Sequence, residues 1–394
     1  MTEPANSNAP KIRFKSHSET WKTEAVSTLL KERNVQAPKS AEYPLMAFIA
    51  EQGVAPKGKR YNREFLVSDE LNKKYKQTEL GDFIYSSNNL ETGSIGTNRY
   101  GKASISPVYS IFAPTPEGDS SFIGQLLCKK TFINKMVKWR QGVVYGQWRI
   151  HESDFLRIES NFPTVDEQAQ VGSYFRELDH LIGLHQQKHD KLVQLKKAML
   201  QKMFPQPGSS IPEIRFKGFS GEWVEKKLHS LADRYDNLRI PVSASNRIPG
   251  NTPYYGANGI QDYVHGYTHQ GEFILVAEDG ANDLKNYPVQ YVSGKVWVNN
   301  HAHVLQGKFG LAETRFLKYA FAQINVETFL VGGGRSKLNA ETMMQLEIRA
   351  PADIEEQQKI GSYFRSLEDL ISKHAIHLQK LKQIKAACLE KMFV

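Results

Sequence analysis

The sequence predicts a duplicated α+β or α/β chain: two similar globular domains separated by two long antiparallel coiled-coil-like helices, related by a pseudo-two-fold axis. Three observations predict this class. Residues 165–204 and 354–393 repeat each other at an offset of 189, with 20 of 40 positions identical. Both copies carry an apolar stripe in helical rhythm behind a proline. The stretches between them mix short β-like runs with helix-like ones, punctuated by turn residues.

Each repeat opens on a start signal. Thr164 and Glu167 follow Pro163 as a capping box, and Asp353 and Glu356 follow Pro351. The first stripe runs through Val171, Phe175, Leu178, Ile182, His185, Leu192, Leu195 and Met199. The second runs through Ile360, Phe364, Leu367, Ile371, His374, Leu378 and Leu381, and Ile384, Cys388 and Met392 continue it after a phase slip. Phe175, Leu178, Ile182, His185 and Leu192 are expected to face Phe364, Leu367, Ile371, His374 and Leu381 across an inter-helix seam. Acids such as Glu177 and Asp179 lie in the first half of each helix and lysines such as Lys196 and Lys202 in the second, so antiparallel packing sets acid against base.

A second echo lies upstream. Pro10–Lys15 with Trp21 matches Pro212–Lys217 with Trp223 at an offset of 202. The order is therefore tail 1–19, domain 20–162, helix 163–205, linker and domain 206–350, and helix 351–394. β-like runs fall at Phe83–Tyr85, Ser104–Phe112, Phe273–Val276, Lys295–Val298 and His303–Leu305, and helix-like stretches near 121–138 and 312–329.

With 394 residues the chain suits two or three domains. No apolar run reaches membrane-span length, and the polar start is not a signal peptide, so a cytoplasmic protein is expected. Two cysteines, Cys128 and Cys388, cannot build a disulfide framework or a cysteine zinc site. The net charge of +9 points to a polyanionic partner.

Taken together, Pro212–Trp223, Tyr254–Gly259 (YYGANG), Val298–Val304 (VNNHAHV), Gly333–Leu338 (GGRSKL) and the two duplicated helices resemble the specificity subunit of type I restriction–modification enzymes, over nearly the whole chain. The first domain matches less cleanly and lacks the YYGANG and VNNHAHV strings. The resemblance implies two target-recognition domains, each reading one half of a bipartite, gapped DNA site, with the helices setting the gap. It implies a non-catalytic subunit that docks two adenine-N6 methyltransferase subunits and, through them, restriction and translocation subunits. S-adenosylmethionine would then sit in the methyltransferase partners, ATP and magnesium in the restriction subunits, and no cofactor on this chain. The alternative is a self-sufficient DNA-modifying enzyme or a coiled-coil adaptor.

Base edges are read by amides, guanidinium groups and apolar contacts, while basic groups on phosphates fix register. In the second domain Tyr254, Tyr255, Asn258, Lys285, Asn299 and Asn300 are the loop candidates, with Arg335, Ser336 and Lys337 as a phosphate clamp. In the first domain the candidates are Asn88, Asn89, Lys102, Arg140, Gln147 and Arg149, whereas Trp139 and Trp148 are read as packing residues. Weak enzyme signatures compete. Asn251–Tyr254 resembles a methyltransferase motif but has Thr at its second position, Phe216–Gly221 only faintly resembles a methyl-donor loop, Asp283-x-Lys285 resembles a nuclease ending, and His301-x-His303 could ligate zinc. No P-loop is encoded, and no metal is expected.

Overall fold

The computed structural model describes residues 8–50, 52–56, 73–143, 147–332 and 336–394. The chain divides into two compact units, Met1–His185 with His377–Val394, and Gln186–Ile376. The long helices span Val165–Lys202 and Ile354–Lys391 and form no domain of their own: the unit boundary cuts each one. Each unit therefore takes the first half of one helix and the second half of the other.

In the first unit, Lys22–Ala25 pairs antiparallel with Glu159–Phe162 at the foot of the helix. A four-stranded sheet runs in the order Leu30–Glu32, Ser110–Pro114, Phe83–Tyr85, Ile95–Thr97, and a three-stranded sheet runs Gln36–Ala37, Tyr75–Thr78, Ala103–Ile105. The stretch near 121–138 is two helices, Ser120–Leu127 and Lys130–Val137, because Lys129 is extended between them. Ser104–Phe112 is likewise two strands, and Pro107, which has no N–H for a ladder, lies in the turn between them.

In the second unit, Val224–Lys227 pairs with Glu347–Ala350 in the same way. One six-stranded sheet runs in the order Ala232–Arg234, Ala302–Gly307, His269–Ala277, Val289–Val298, Pro249–Gly256, Gly259–Val264. The helix expected over 312–329 is Thr314–Phe321 followed by a 3-10 turn at Val326–Phe329.

The repeat in sequence becomes a repeated joint. In the first unit Trp21, Phe122 and Phe175 meet Phe393, with ring centroids 6.1, 5.3 and 5.7 Å from it. In the second, Trp223, Phe316 and Phe364 meet Phe204 at 5.5, 5.8 and 6.1 Å. The Lys-Met-Phe ending of each helix thus packs in the unit that contains the start of the other helix, and each buried ring contributes about 1.5–3 kcal/mol. Arg13 grips Glu167 bidentately at 2.7 and 2.6 Å, and Arg215 grips Glu356 at 2.7 and 2.7 Å. These glutamates were expected to close capping boxes; both are buried, and their carboxylates are spent on the arginines of the Ile-Arg-Phe echo instead. Gln168 and Gln357 repeat a further pattern, donating to Pro163 and Pro351 carbonyls and accepting from the N–H of Asp119 and Glu313.

Antiparallel pairing holds within each unit, and acid meets base as the charge pattern requires. Asp179 binds Lys385 at 2.5 Å, and Glu368 binds Lys196 at 2.7 Å. Each acid also receives a cation from its globular part: Arg99 at 3.1 Å and Lys318 at 2.6 Å. Burial along the seam is uneven, and Leu378, well inside its helix, is buried. Phe175, Leu178, Phe364 and Leu367 are buried, Ile182, Leu192, Ile371 and Leu381 are half-buried, and Leu195 is exposed. The His185 ring meets His377 edge-on, with centroids 5.2 Å apart.

Candidate nucleic-acid interface

The second unit gathers polar side chains where three connections of its sheet meet. Asn258 donates from Nδ2 to the Gly280 carbonyl at 2.9 Å and accepts the Asn282 N–H at 3.0 Å, which staples the Tyr254–Gly259 turn to the 278–287 connection. Its amide keeps a second hydrogen and a second lone pair for another partner. Asn299 donates its backbone N–H to Tyr255 and accepts the His301 N–H at 2.8 Å. His301 Nδ1 lies 2.6 Å from Asp279. Lys285 and Asn300 are exposed beside them.

Several candidates are placed otherwise. Tyr254 is 1% exposed: its hydroxyl exchanges hydrogen bonds with the Val242 backbone, and the Arg247 guanidinium lies 4.1 Å over its ring. It is a core residue, drawn inward because its strand lies inside the sheet. Asn299, 4% exposed, holds a turn together and presents no free edge. Tyr255 is half-buried, and burial raises its hydroxyl above the ordinary tyrosine range. Lys337 is paired with Glu278 at 2.9 Å, so its charge is largely cancelled before a phosphate arrives. Ser336 is half-buried, and Arg335 lies outside the described residues.

The first unit brings its candidates together around one hairpin, Gln141–Val143 with Gln147–Arg149. Asn88 accepts the Trp148 N–H at 2.6 Å and Ser87 the Ile150 N–H at 3.0 Å, so the 86–90 turn is locked against the hairpin. Arg140 enters the group through Glu91 at 2.9 Å, and Arg149 reaches Glu152 at 3.5 Å. Asn89 and Gln147 are exposed nearby. Lys102 is not part of this group; it pairs with Glu42 over the Tyr43 ring. Trp139 and Trp148, read as packing residues, are 41% and 49% exposed. Trp148 sits between Gln147 and Arg149 on a two-stranded ribbon, and that polar flanking was the signal that no core awaited it.

Two of the enzyme signatures take other roles. The Asp283 carboxylate accepts the N–H groups of Asn286 and Lys285 and the Asn286 amide, and the Asn286 bonds hold it below the usual carboxylate range. That is an Asx turn. His301 and His303 turn to different acids, Asp279 and Asp236. Asp236, Glu278 and His303 do bring three ligand-type atoms within 4.8 Å of one another. Cations already fill that cluster: Arg239 lies 2.6 Å from Glu278 and 3.6 Å from Asp236, and Lys337 binds Glu278. Burial pushes both carboxyls up, but hydrogen bonds from His303 to Asp236 and from Arg239 and Lys337 to Glu278 outweigh it and leave both lowered.

Two α/β units, each presenting amides, cations and partly exposed rings on loops over a rigid sheet, on a chain of net charge +9, are built like a reader of polyanions. Comparison with known proteins agrees. Residues 220–386 match the family described as Type I restriction modification DNA specificity domain. A Haemophilus influenzae protein with the curated name of type I restriction enzyme specificity subunit is 48% identical over 139 residues; that stretch spans about a third, 35%, of each protein. The crystal structure of a type I restriction–modification S subunit from M. genitalium superposes with a TM-score of 0.69, covering 98% of this chain and 99% of that one, at 14% identity. That likeness shows the fold across the chain. Residues 220–386 are thus similar to the type I DNA specificity domain, and the fold of the whole chain is that of the solved S subunit. No described helix is long and apolar enough to cross a membrane.

Proposed function

We propose that the chain is the non-catalytic specificity subunit of a type I restriction–modification complex. It reads a bipartite, gapped DNA target, one half-site per unit, and docks two adenine-N6 methyltransferase subunits and through them the restriction subunits. The observation that carries this reading is the duplicated joint. Arg13–Glu167 with Trp21, and Arg215–Glu356 with Trp223, fix two different loop surfaces to two copies of one helix ending. A chain that keeps the joint and varies the loops is suited to one partner type bound twice and two different sequences read.

S-adenosylmethionine is expected in the methyltransferase partners, and ATP with magnesium in the restriction subunits. In the second unit, Asn258, Lys285 and Asn300 supply base- or phosphate-directed groups, supported by Asp279 and His301. In the first, Asn89, Gln147, Arg149 and the ring of Trp148 do so. The test is methyl transfer from labelled S-adenosylmethionine to duplex DNA. The chain alone is expected to transfer nothing, and the chain with a modification subunit to label adenine. Transfer by the chain alone would establish a self-sufficient enzyme instead.

A further inference from the structure

His303 is 1% exposed, on the Ala302–Gly307 strand, and belongs to no exposed loop. Its Nδ1 lies 2.7 Å from Asp236 Oδ2 and 3.7 Å from Glu278 Oε2, and its Nε2 lies 2.9 Å from the Leu338 carbonyl. Both ring nitrogens thus face oxygen acceptors, one on each side. Asp236 is itself held by the Val304 N–H at 2.8 Å and flanked by Arg239 and Arg234 at 3.6 and 3.7 Å.

Leu338 directly follows Lys337, and Val331 and Lys337 exchange both backbone hydrogen bonds at 2.9 Å. The Leu338 N–H then donates to the Glu278 carbonyl at 2.7 Å, Lys337 Nζ reaches the Glu278 carboxylate, and Asp279 bridges Lys337. Glu278 in turn donates its N–H to the His301 carbonyl at 2.9 Å. The 278–287 connection is stapled at Gly280 and Asn282 to Asn258. A single chain of hydrogen bonds therefore runs from a buried imidazole to the loops that carry the second unit's candidate readers.

We propose that His303 is a positioning residue for DNA reading: by fixing the Leu338 carbonyl, it sets Lys337 and Leu338 against the Asn258 and 278–287 loops, and so the base preference of the second half-site. This rests on the reading of the chain as a specificity subunit. The geometry separates two variants. A glutamine amide places its nitrogen near the position of Nε2, toward Leu338; an asparagine amide reaches only the Nδ1 position, toward Asp236.

The experiment maps N6-methyladenine in DNA of a host expressing a type I modification subunit with wild-type chain, His303→Gln or His303→Asn. The first half-site is the internal control. His303→Gln is expected to keep the wild-type motif. His303→Asn is expected to lose about 10-fold discrimination at one or more second-half-site positions, the scale of one buried hydrogen bond, with the first half-site unchanged. A merely structural role would lower methylation of the whole motif without relaxing one half. The proposal is overturned if both variants write the wild-type motif, or if both lose the two half-sites together. Should His303→Asn fail to assemble, Glu278→Gln must relax the second half-site alone, and an unchanged motif there overturns the proposal equally. No gapped motif from wild-type chain in an assembled complex would instead sink the specificity-subunit reading itself.

Discussion

At the residue scale, the strongest single contacts are the buried carboxylates of the repeated joint. Glu167 has 2% of its side chain exposed and depends on Arg13 for charge balance. Removing one partner of such a pair leaves a buried charge and costs about 3–5 kcal/mol. Arg13→Met should lower unfolding stability by that amount in urea titrations; a loss below about 1 kcal/mol would show that Glu167 is solvated or otherwise paired. Glu368 gives the pH dependence. Burial raises its pKa, but Lys318 and Lys196 outweigh that and leave it lowered. A lowered carboxyl contributes stability that is present above its unfolded value, about 4.5, and is lost as pH falls through the folded one. Glu368→Gln should therefore be less stable than wild type at pH 7, with the gap closing below pH about 4.5; a gap constant down to pH about 3.5 would contradict the pairing. Asp82 and Glu313, raised by burial, act in the opposite direction, so the comparison must be between variant and wild type and not across pH alone. This scale was the least legible in sequence. Tyr254 belongs to a motif rich in turn residues, and nothing local says that its ring lies beneath Arg247. The Arg13–Glu167 pair joins residues 154 positions apart, and the competing capping box was the nearer explanation for Glu167.

At the element scale, the long helices were legible to within three residues at each end, because proline, first-turn acids and a 4-3 stripe all agree over 38 residues. Their glycines were not. Gly172 and Gly361 sit inside helices, where glycine is unfavourable by about 1 kcal/mol relative to alanine. Each is there because the capped start of a short helix presses against it. A Cβ on Gly172 would lie 2.3 Å from Asp119 Oδ1 and 2.9 Å from the Phe122 nitrogen; on Gly361 it would lie 2.7 Å from Glu313 Oε2 and 2.9 Å from the Phe316 nitrogen. The clash involves backbone and a capping carboxylate, so it outweighs the propensity gain. Gly172→Ala and Gly361→Ala should each lose about 1–3 kcal/mol by thermal or urea unfolding; a gain would show that the caps can retreat.

At the scale of the whole molecule, duplication was legible from the offset of 189, and it fixed the architecture before any strand was assigned. What it could not show is that each compact unit borrows half of each helix, because the Lys-Met-Phe endings look alike in both copies and only packing says where each one lands. It predicts that residues 220–350 can be exchanged for the corresponding segment of a relative that has Trp and Phe at the positions of Trp223 and Phe316, so that both still pack on Phe204. Such a chimera should change one half-site and keep the other; a change in both would mean that the units do not read independently. The most direct test of the central claim is single-molecule methylation sequencing of a host expressing this chain with a type I modification subunit. The account predicts an asymmetric gapped motif with N6-methyladenine on both strands, absent when this chain is omitted. A complex that assembles yet writes no new motif, or one that writes the same motif without this chain, would contradict it.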